Sequence, residues 1–349
     1  MFNYKWYKST GYPAQGVKKS DFKVFSTFAC GGGSSMGYKL AGFNVIGAND
    51  IDPKMRDIYL ANHNVNHFIL APIGDLLKMD LPEELYNLDI LDGSPPCSTF
   101  SMAGSREKAW KKEKKFREGQ AEQVLSDLFF DFIALTEKLK PKVFIAENVK
   151  GMLLGNAKAY TTEVIKAFDR AGYTTQLFLL NGGSMGLPQT RERVFFIGTR
   201  KDLKLPKIKI DFKDTPITFG NVEHVCIAEG LPVTQKELSE AYKKWWKVTP
   251  PGQSFSYAHP KGSFFNTVKV SPMKTLGTIT ATAGAKITHY REPKEVSDEM
   301  LTLCSSFPLD YNYLDNDPKY VTGMSVPPLM MARVAYEVRK QLLEHLPKG

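Results

Sequence analysis

From residue 22 to about residue 200 the sequence alternates two patterns, and this alternation constrains the fold more than any other feature. Short runs of β-branched and aromatic residues are followed by longer stretches with apolar residues at helical spacing. Strands are predicted at residues 24–28, 44–48, 88–91, 143–147, 175–180 and 194–198, and helices at residues 53–63, 121–140 and 160–171. Strands that alternate with helices form parallel sheets covered by helices. The pattern therefore predicts an α/β fold with a doubly wound, mostly parallel sheet.

The chain changes character after residue 200, where it becomes rich in lysine and is interrupted by prolines. Residues 201–286 contain 13 lysines, 7 acidic residues and no arginine, and the one helical stretch predicted there covers residues 235–246. A chain of 349 residues is long enough for two domains. We therefore predict a first domain at residues 1–200, completed by a C-terminal helix within residues 320–349, and a small domain at residues 201–319.

The composition favours one class of partner and argues against others. The 46 lysines and arginines outnumber the 37 acidic residues, which favours a polyanion such as nucleic acid; a basic surface kept for solubility is the alternative. The four cysteines form no CxxC pair, so we expect no metal site and no disulfides, and place the protein in the reducing cytoplasm. No apolar run is long enough to span a bilayer, so no membrane partner is expected.

One cysteine lies where a nucleophile would be well placed. Cys97 comes directly after Pro95-Pro96, just beyond the strand predicted at residues 88–91. A rigid turn at a strand end can hold a thiol partly exposed and favour the thiolate, which is the nucleophilic form. The alternative is a buried cysteine that acts as a small apolar residue, the usual role of a free cysteine.

A glycine-rich turn follows the first predicted strand and opens a helix. Residues 28–33 read Phe-Ala-Cys-Gly-Gly-Gly, and a backbone without side chains can approach a ligand closely. The dinucleotide fingerprint would need a glycine in place of Met36, which argues against a nicotinamide cofactor. Asp50 ends the second predicted strand, where an acidic side chain would bind ribose hydroxyls. The pattern favours a nucleoside-bearing cofactor; a structural turn followed by a helix-capping aspartate is the alternative.

These features belong to an ordered series of motifs that resembles the DNA (cytosine-5) methyltransferase family. The series extends from about residue 22 to residue 342, apart from the lysine-rich segment, and comprises residues 28–33, Asp50, Gly74-Asp75-Leu76, Pro96-Cys97, Ala146-Glu147-Asn148-Val149, Gln189-Thr190-Arg191-Glu192-Arg193 and residues 323–328. Each motif alone is weakly specific, whereas the ordered set is strongly so. The resemblance implies a Rossmann-like enzyme that uses S-adenosylmethionine to methylate C5 of cytosine in double-stranded DNA, with residues 201–319 as a target-recognition domain.

The resemblance also implies roles for individual residues. Cys97 would add to cytosine C6, and Glu147 would donate a proton to N3. Arg191 and Arg193, on one face of a strand, would hold the cytosine O2 and nearby phosphates or the Cys97 loop. The cofactor would contact Phe28, Cys30, Gly31, Gly33, Asp50, Ile51, Asp75, Leu76, Met324 and Ser325. DNA would contact Ser98, Arg106, Lys108, Lys111, Lys112 and Gln189.

Four positions depart from the family pattern. Cys30 stands where a glycine is usual, Asp50 where glutamate is common, and Ser98 where glutamine often follows the cysteine. These three changes are conservative enough to be tolerated. Met324 replaces an asparagine that would lie beside the cofactor, so a polar contact expected at that point is missing.

The implied chemistry requires a cytosine that has been flipped out of the duplex. The basic segment at residues 105–117 resembles the mobile catalytic loop of the family, which would close over DNA through phosphate contacts. Because residues 201–286 lack arginine, sequence readout would depend on lysines, Gln253, Asn266 and hydroxyl groups. We expect a monomer, and a cognate restriction endonuclease is a further candidate partner.

Three other functions compete with this interpretation. Ser94-Pro95-Pro96 is similar to the start of the motif of amino-methyltransferases, although that motif has an aromatic residue at the position of Cys97. Met324 raises the alternative of a DNA-binding module without catalytic activity. A branch of the same family methylates tRNA, so RNA is the third alternative.

Overall fold

The computed structural model describes residues 1–96, 113–114, 123–124, 128–155, 157–282 and 284–347. The strands in these ranges are β1 (Lys23–Thr27), β2 (Asn44–Asp50), β3 (His67–Leu70), β4 (Ile90–Gly93), β5 (Glu113–Lys114), β6 (Gln123–Val124), β7 (Val143–Val149), β8 (Tyr173–Asn181), β9 (Gln189–Thr190), β10 (Glu192–Arg200), β11 (Thr234–Glu237), β12 (Gln253–Ser254), β13 (Val268–Lys269), β14 (Leu276–Gly277), β15 (Ile287–Thr288) and β16 (Lys294–Val296). The α-helices are α1 (Gly33–Leu40), α2 (Pro53–Asn62), α3 (Ile73–Leu76), α4 (Leu128–Leu139), α5 (Ala157–Arg170), α6 (Phe219–Ala228), α7 (Glu240–Val248), α8 (Asp298–Cys304), α9 (Pro318–Met324) and α10 (Pro328–Gln341). Of these described helices, none has both the length and the apolar composition needed to cross a bilayer.

A seven-stranded sheet forms the centre of the molecule, with the strand order β3-β2-β1-β4-β7-β10-β8. Neighbouring strands from β3 to β7 run parallel, whereas β10 is antiparallel to both β7 and β8. The predicted α/β fold with a mostly parallel sheet is confirmed. The carboxyl ends of β1, β2, β4 and β7 lie at the same edge of the sheet, which brings together the segments that follow them.

Helices cover both faces of this sheet and divide its side chains between two cores. On one face, Phe132 of α4 and Phe168 of α5 pack against Phe144 of β7. On the other face, α1 and α10 pack over Ile145, the next residue of β7. The rings of Phe144 and Phe168 stack with their centroids 3.8 Å apart. Gly198 on β10 leaves room for the Phe144 ring, because a Cβ at that glycine would lie 1.9 Å from it.

Three elements differ from the sequence-based predictions. Among the described residues helix α4 covers Leu128–Leu139, and residues 123–124, which the prediction placed in this helix, form strand β6. The helix predicted at residues 235–246 begins only at Glu240, because the residues before it pair with β16 instead. The apolar pattern does not reveal β3, whose four residues are only partly buried or exposed.

A second sheet, with the order β11-β16-β15-β13-β12, packs with α6 and α8 around a separate apolar core. Phe219 of α6 and Met300 of α8 are both fully buried in this core. The segment that leads into it packs elsewhere: Ile208 lies in the core formed by α1 and α10, and Asp214 accepts from Arg333 of α10 at 2.7 Å. The division at residue 201 stays a prediction, and the first residues beyond it lie against the main sheet.

Candidate active site

The turn after β1 is shaped by a single carboxylate from β2. Phe28 and Cys30 adopt positive φ angles of 52° and 47°. The Cys30 amide donates to Asp50 Oδ2 at 2.7 Å, and the Asp52 amide donates to Asp50 Oδ1 at 2.9 Å. Burial raises the pKa of the Asp50 carboxyl above its ordinary value, while the two backbone donors act in the opposite direction. Asp50 therefore holds the turns after β1 and β2 together. Ile51, the next residue, is half-buried.

The glycines of this turn have a structural reason that the sequence does not reveal. We expect bare backbone there for the approach of a ligand, yet a Cβ on Gly31 would lie 2.6 Å from Val321, and a Cβ on Gly33 would lie 2.0 Å from the Val326 carbonyl oxygen. Gly31 therefore leaves room for α9, and Gly33 leaves room for the segment that joins α9 to α10. The glycine-rich turn is packed against the closing motif near the other end of the chain.

That closing motif places Met324 and Ser325 differently. The Met324 side chain is 54% exposed, whereas Ser325 is buried and its hydroxyl donates to the Val321 carbonyl at 2.8 Å. The Ser325 hydroxyl also lies 3.6 Å from Cys30 Sγ. The structure thus brings together two predicted cofactor residues from distant parts of the sequence.

The other predicted cofactor residues lie on α3. Asp75 is exposed, but the Leu76 side chain is fully buried in the core beneath α4. The Leu76 side chain packs in the core because it is apolar and lies on the inner face of the helix, and a cofactor contact at this residue stays a prediction. Asn49, which the sequence does not single out, donates to the carbonyls of Ile69 and Ala71 at 2.9 Å each and holds the segment after β3 beside β2.

An ion pair lies where β7 and β10 meet. Arg193 Nε and Glu147 Oε1 are 2.7 Å apart, and the two side chains are only 14% and 9% exposed. The register of the antiparallel pair places Arg193 opposite Val149, two residues beyond Glu147, so the pair spans a diagonal of the ladder. The sequence predicted both residues, but not that they would pair with each other.

The next residue of β7 links this pair to the segment that precedes Cys97. The Asn148 side chain donates to the Pro95 carbonyl at 3.0 Å. This contact holds the end of the Pro-Pro turn beside the Glu147–Arg193 pair. The predictions for Cys97, Ser98, Arg106, Lys108, Lys111 and Lys112 lie outside the described residues and stay predictions.

Arg191 and Gln189 are both buried and bonded to backbone groups. Arg191 is 3% exposed and donates to the carbonyls of Ile279, Gly323 and Ser325 at 3.1, 3.2 and 3.1 Å. Burial, reinforced by the charge of Arg193, lowers the pKa of Arg191 to about 9. Gln189 is 1% exposed and its amide also bonds to backbone groups. These contacts fix both side chains within the protein, and their predicted contacts to cytosine and DNA stay predictions.

A buried carboxyl group that the sequence analysis missed lies on β4, just before the Pro95-Pro96 turn. Asp92, the third residue of β4, is 1% exposed and accepts from Ser26 Oγ at 2.7 Å and from the Tyr38 hydroxyl at 3.2 Å. Burial is the main cause that raises its pKa to about 7, and the negative charge of Glu147 contributes. A charged residue within an otherwise apolar strand was the signal that could have identified it.

The sheet order with its antiparallel β10, and the loops gathered at its carboxyl edge, define the Rossmann-like methyltransferase class. The chain belongs to the C-5 cytosine-specific DNA methylase family, whose model matches residues 22–340. The type II methyltransferase M.NgoPII of Neisseria gonorrhoeae is 35% identical over 183 residues, which are 52% of this chain and 49% of the relative. M1.HphI of Haemophilus parahaemolyticus is 25% identical over 329 residues, covering 90% and 85%. The chain spans about half the length of the first curated relatives it matches.

Solved structures share the fold. A protein described as a DNA modification methyltransferase encoded within an E. coli prophage superposes with a TM-score of 0.70 at 18% identity, covering 93% of this chain and all of that one. The Dnmt2 methyltransferase of S. pombe superposes with a TM-score of 0.60 at 13% identity, covering 92% and 99%. At these identities the likeness concerns the fold alone.

Proposed function

We propose that this protein transfers a methyl group from S-adenosylmethionine to C5 of a flipped-out cytosine in a specific double-stranded DNA sequence, through a transient bond between Cys97 and C6. The observation that carries the proposal is the arrangement at the ends of β7 and β10. There the Glu147–Arg193 pair adjoins the contact from Asn148 to Pro95, two residues before Cys97. A carboxyl group, a guanidinium group and the segment that leads to Cys97 are therefore neighbours.

The chain's residues divide the chemistry among themselves. The Cys97 thiolate adds to C6, and the electron pair of the C5–C6 bond moves toward N3, where Glu147 in its acid form donates a proton. C5 would then take the methyl group, with S-adenosylhomocysteine as the leaving group. A base would remove the C5 proton as the thiolate leaves C6, and N3 would return its proton to the Glu147 carboxylate, which restores the aromatic ring. The ion pair with Arg193 involves Oε1 of Glu147, which leaves Oε2 to face the cytosine. Extruding the cytosine costs a few kcal/mol, offset by contacts to DNA.

The residues present suit the methyl donor. S-adenosylmethionine, when bound, supplies an electrophilic methyl group on a positively charged sulfur. Asp50, whose oxygens are already oriented by backbone amides at the carboxyl edge of the sheet, suits ribose hydroxyls, and the exposed Asp75 suits an exocyclic amine. Met324 offers only an apolar contact, so the cofactor would be held without a polar side chain at that position.

The broader organisation is also proposed. Residues 1–200 with residues 320–349 would bind the cofactor and carry out the reaction, and residues 201–319 would recognise the target. We expect the enzyme to act as a monomer in the cytoplasm. Since several relatives are type II methyltransferases, a cognate restriction endonuclease is a candidate partner.

Trapping on DNA tests the central step. Wild-type protein incubated with S-adenosylmethionine and duplexes containing 5-fluorocytosine should form an adduct that survives denaturation, because fluorine blocks the final loss of the C5 proton. Cys97→Ala should form none while still binding cofactor and DNA. Cys226→Ser, in a buried cysteine that donates to the Pro232 carbonyl at 3.2 Å, is the matched control and should still form the adduct.

Two results would contradict the proposal. Methyl transfer by Cys97→Ala would exclude the thiolate mechanism and favour attack by an exocyclic nitrogen. Incorporation of methyl groups into tRNA but not into duplex DNA would show that the substrate is RNA. Bisulfite sequencing of DNA from cells that express the protein would then identify the target sequence.

A further inference from the structure

A short parallel pairing joins the motif of Arg191 to the small sheet region. Strand β9 pairs with β14, which places Gln189 opposite Leu276 and Thr190 opposite Gly277. The Thr190 hydroxyl donates to the Leu276 carbonyl at 3.2 Å, and the Thr278 hydroxyl donates to the Thr190 carbonyl at 2.9 Å. The two segments are thus bonded through both backbone and side chains.

Arg191 extends this junction to a third segment. One terminal nitrogen donates to the Ile279 carbonyl, and the other donates to the Gly323 and Ser325 carbonyls. The planar guanidinium presents its donors at fixed angles, so these contacts fix the relative positions of the segments that carry the carbonyls. Gly323 also packs directly against the backbone that follows Ile279, because a Cβ on this glycine would lie 2.6 Å from the Ala281 nitrogen.

The side-chain amide of Gln189 also bonds to Ile279. Its Oε1 accepts from the Ile279 amide at 3.1 Å, and its Nε2 donates to the Cys304 carbonyl at 3.3 Å. Ile279 therefore has its carbonyl held by Arg191 and its amide held by Gln189. A residue fixed at both backbone groups has little freedom to move.

The segment held in this way forms one wall of a cavity. A cleft of about 370 Å³ in the small sheet region is lined by Asn266, Lys269, Lys274, Thr278 and Thr280 among others. These are amide, ammonium and hydroxyl groups of the kind that contact base edges and phosphates. On the other side of the junction, Arg193 lies two residues beyond Arg191 and pairs with Glu147.

We propose that Arg191 is a positioning residue, which holds the cavity wall at residues 276–280 in register with the Glu147–Arg193 pair and so couples target recognition to methyl transfer. This inference rests on the proposed function. If the wall shifts, a correctly bound sequence no longer places its cytosine at the pair, and other sequences gain relative to it. Loss of Arg191 should therefore reduce discrimination between sequences.

The test uses a pool of duplexes with random sequence around cytosine, methylated by full-length protein and read by bisulfite sequencing. Arg191→Lys keeps the positive charge but cannot reach three carbonyls with one fork. We expect its preference for the favoured context over contexts that differ by one base to fall about tenfold or more. Arg333→Lys is the matched control, since Arg333 also joins two segments, through Asp214, but touches no part of the cavity wall. It should keep the wild-type preference.

A second variant covers the case in which Arg191→Lys does not fold. Thr190→Val keeps the side-chain volume, removes the hydrogen bond to the Leu276 carbonyl without changing a cavity-lining residue, and should weaken discrimination in the same direction. An unchanged preference in a folded Arg191→Lys protein, with reduced thermal stability as the single effect, would overturn the coupling. Absence of methylation by the wild-type protein would count against the proposed function instead.

Discussion

The carboxyl group of Asp92 is buried on β4, shortly before the segment that leads to Cys97. Its oxygens accept from Ser26 of β1 and from Tyr38 of α1, and the Thr27 hydroxyl donates to its backbone carbonyl at 2.9 Å. Asp92 thus connects β1 and α1 to β4, the strand that precedes Pro95-Pro96. Burial holds its pKa near 7, so the charge of this group changes within the physiological range.

This pKa makes stability depend on pH. An unfolded aspartate has an ordinary pKa of 3.8, against about 7 in the fold. The stabilisation from the protonated form is complete below pH 3.8 and is lost as pH rises through about 7. Asp92→Asn cannot ionise, so its stability relative to the wild type should increase by about 3 kcal/mol between pH 5 and pH 8. Urea unfolding at both pH values measures this, and an offset that does not change with pH would refute it.

At the scale of elements, the contact between the glycine-rich turn and the closing motif brings together residues of the proposed cofactor site. The turn belongs to the start of α1, and the closing motif joins α9 to α10. The Tyr311 hydroxyl donates to the Gly31 carbonyl at 2.5 Å and adds a third segment. Helices α1 and α10, which begin beside this contact, pack together in the same core against the main sheet.

A methyl group on Gly33 should disrupt this contact. Because its Cβ would lie 2.0 Å from a backbone oxygen, Gly33→Ala should lower the free energy of unfolding by about 2 kcal/mol or more and weaken the binding of S-adenosylmethionine. Thermal unfolding and calorimetry measure the two effects. Gly277→Ala, where no atom lies within 4 Å of the added carbon, is the control and should change stability by less than about 0.5 kcal/mol. Equal effects of the two substitutions would contradict the steric argument.

At the scale of the whole molecule, the N-terminal segment connects parts of the fold that are distant in sequence. The ring of Phe2 packs edge-on against Tyr336 of α10. The Trp6 indole donates to the Ser306 carbonyl at 2.8 Å, and the Tyr7 hydroxyl donates to Glu229 at the end of α6 at 3.0 Å. These first residues therefore lie across both the main sheet and the small sheet region.

Removing the indole at this junction should destabilise the whole fold. Trp6 is 8% exposed, so Trp6→Ala should cost about 3–5 kcal/mol through lost burial and the cavity left behind. Tyr7→Phe is the matched control, because it loses one hydrogen bond at a 39% exposed side chain and should cost less than about 1 kcal/mol. Thermal unfolding distinguishes them. A Trp6→Ala protein as stable as the control would show that the segment is not part of the cooperative fold.

Much of the main sheet could be predicted from the sequence, since strands buried on both faces are written as continuous apolar runs. The six predicted strands correspond to β1, β2, β4, β7, β8 and β10. The start of α7 could not be predicted, because Thr234 and Glu237 pair with residues of β16 about sixty positions later. The motifs predicted Glu147 and Arg193 as site residues. The spacing of Arg191 and Arg193 predicted similar surroundings for the two arginines, whereas one bonds to backbone carbonyls and the other pairs with Glu147.

The sequence by itself determined the class of fold, the family and the strand ends from which the site is built, because hydrophobic periodicity and motif order are local properties. Only the tertiary structure decided which polar groups meet. It paired Arg193 with Glu147, enclosed Arg191 among carbonyls of three distant residues, and buried Asp92 beside Tyr38. Burial and hydrogen-bond partners depend on segments that approach each other only when the sheet and its helices are assembled.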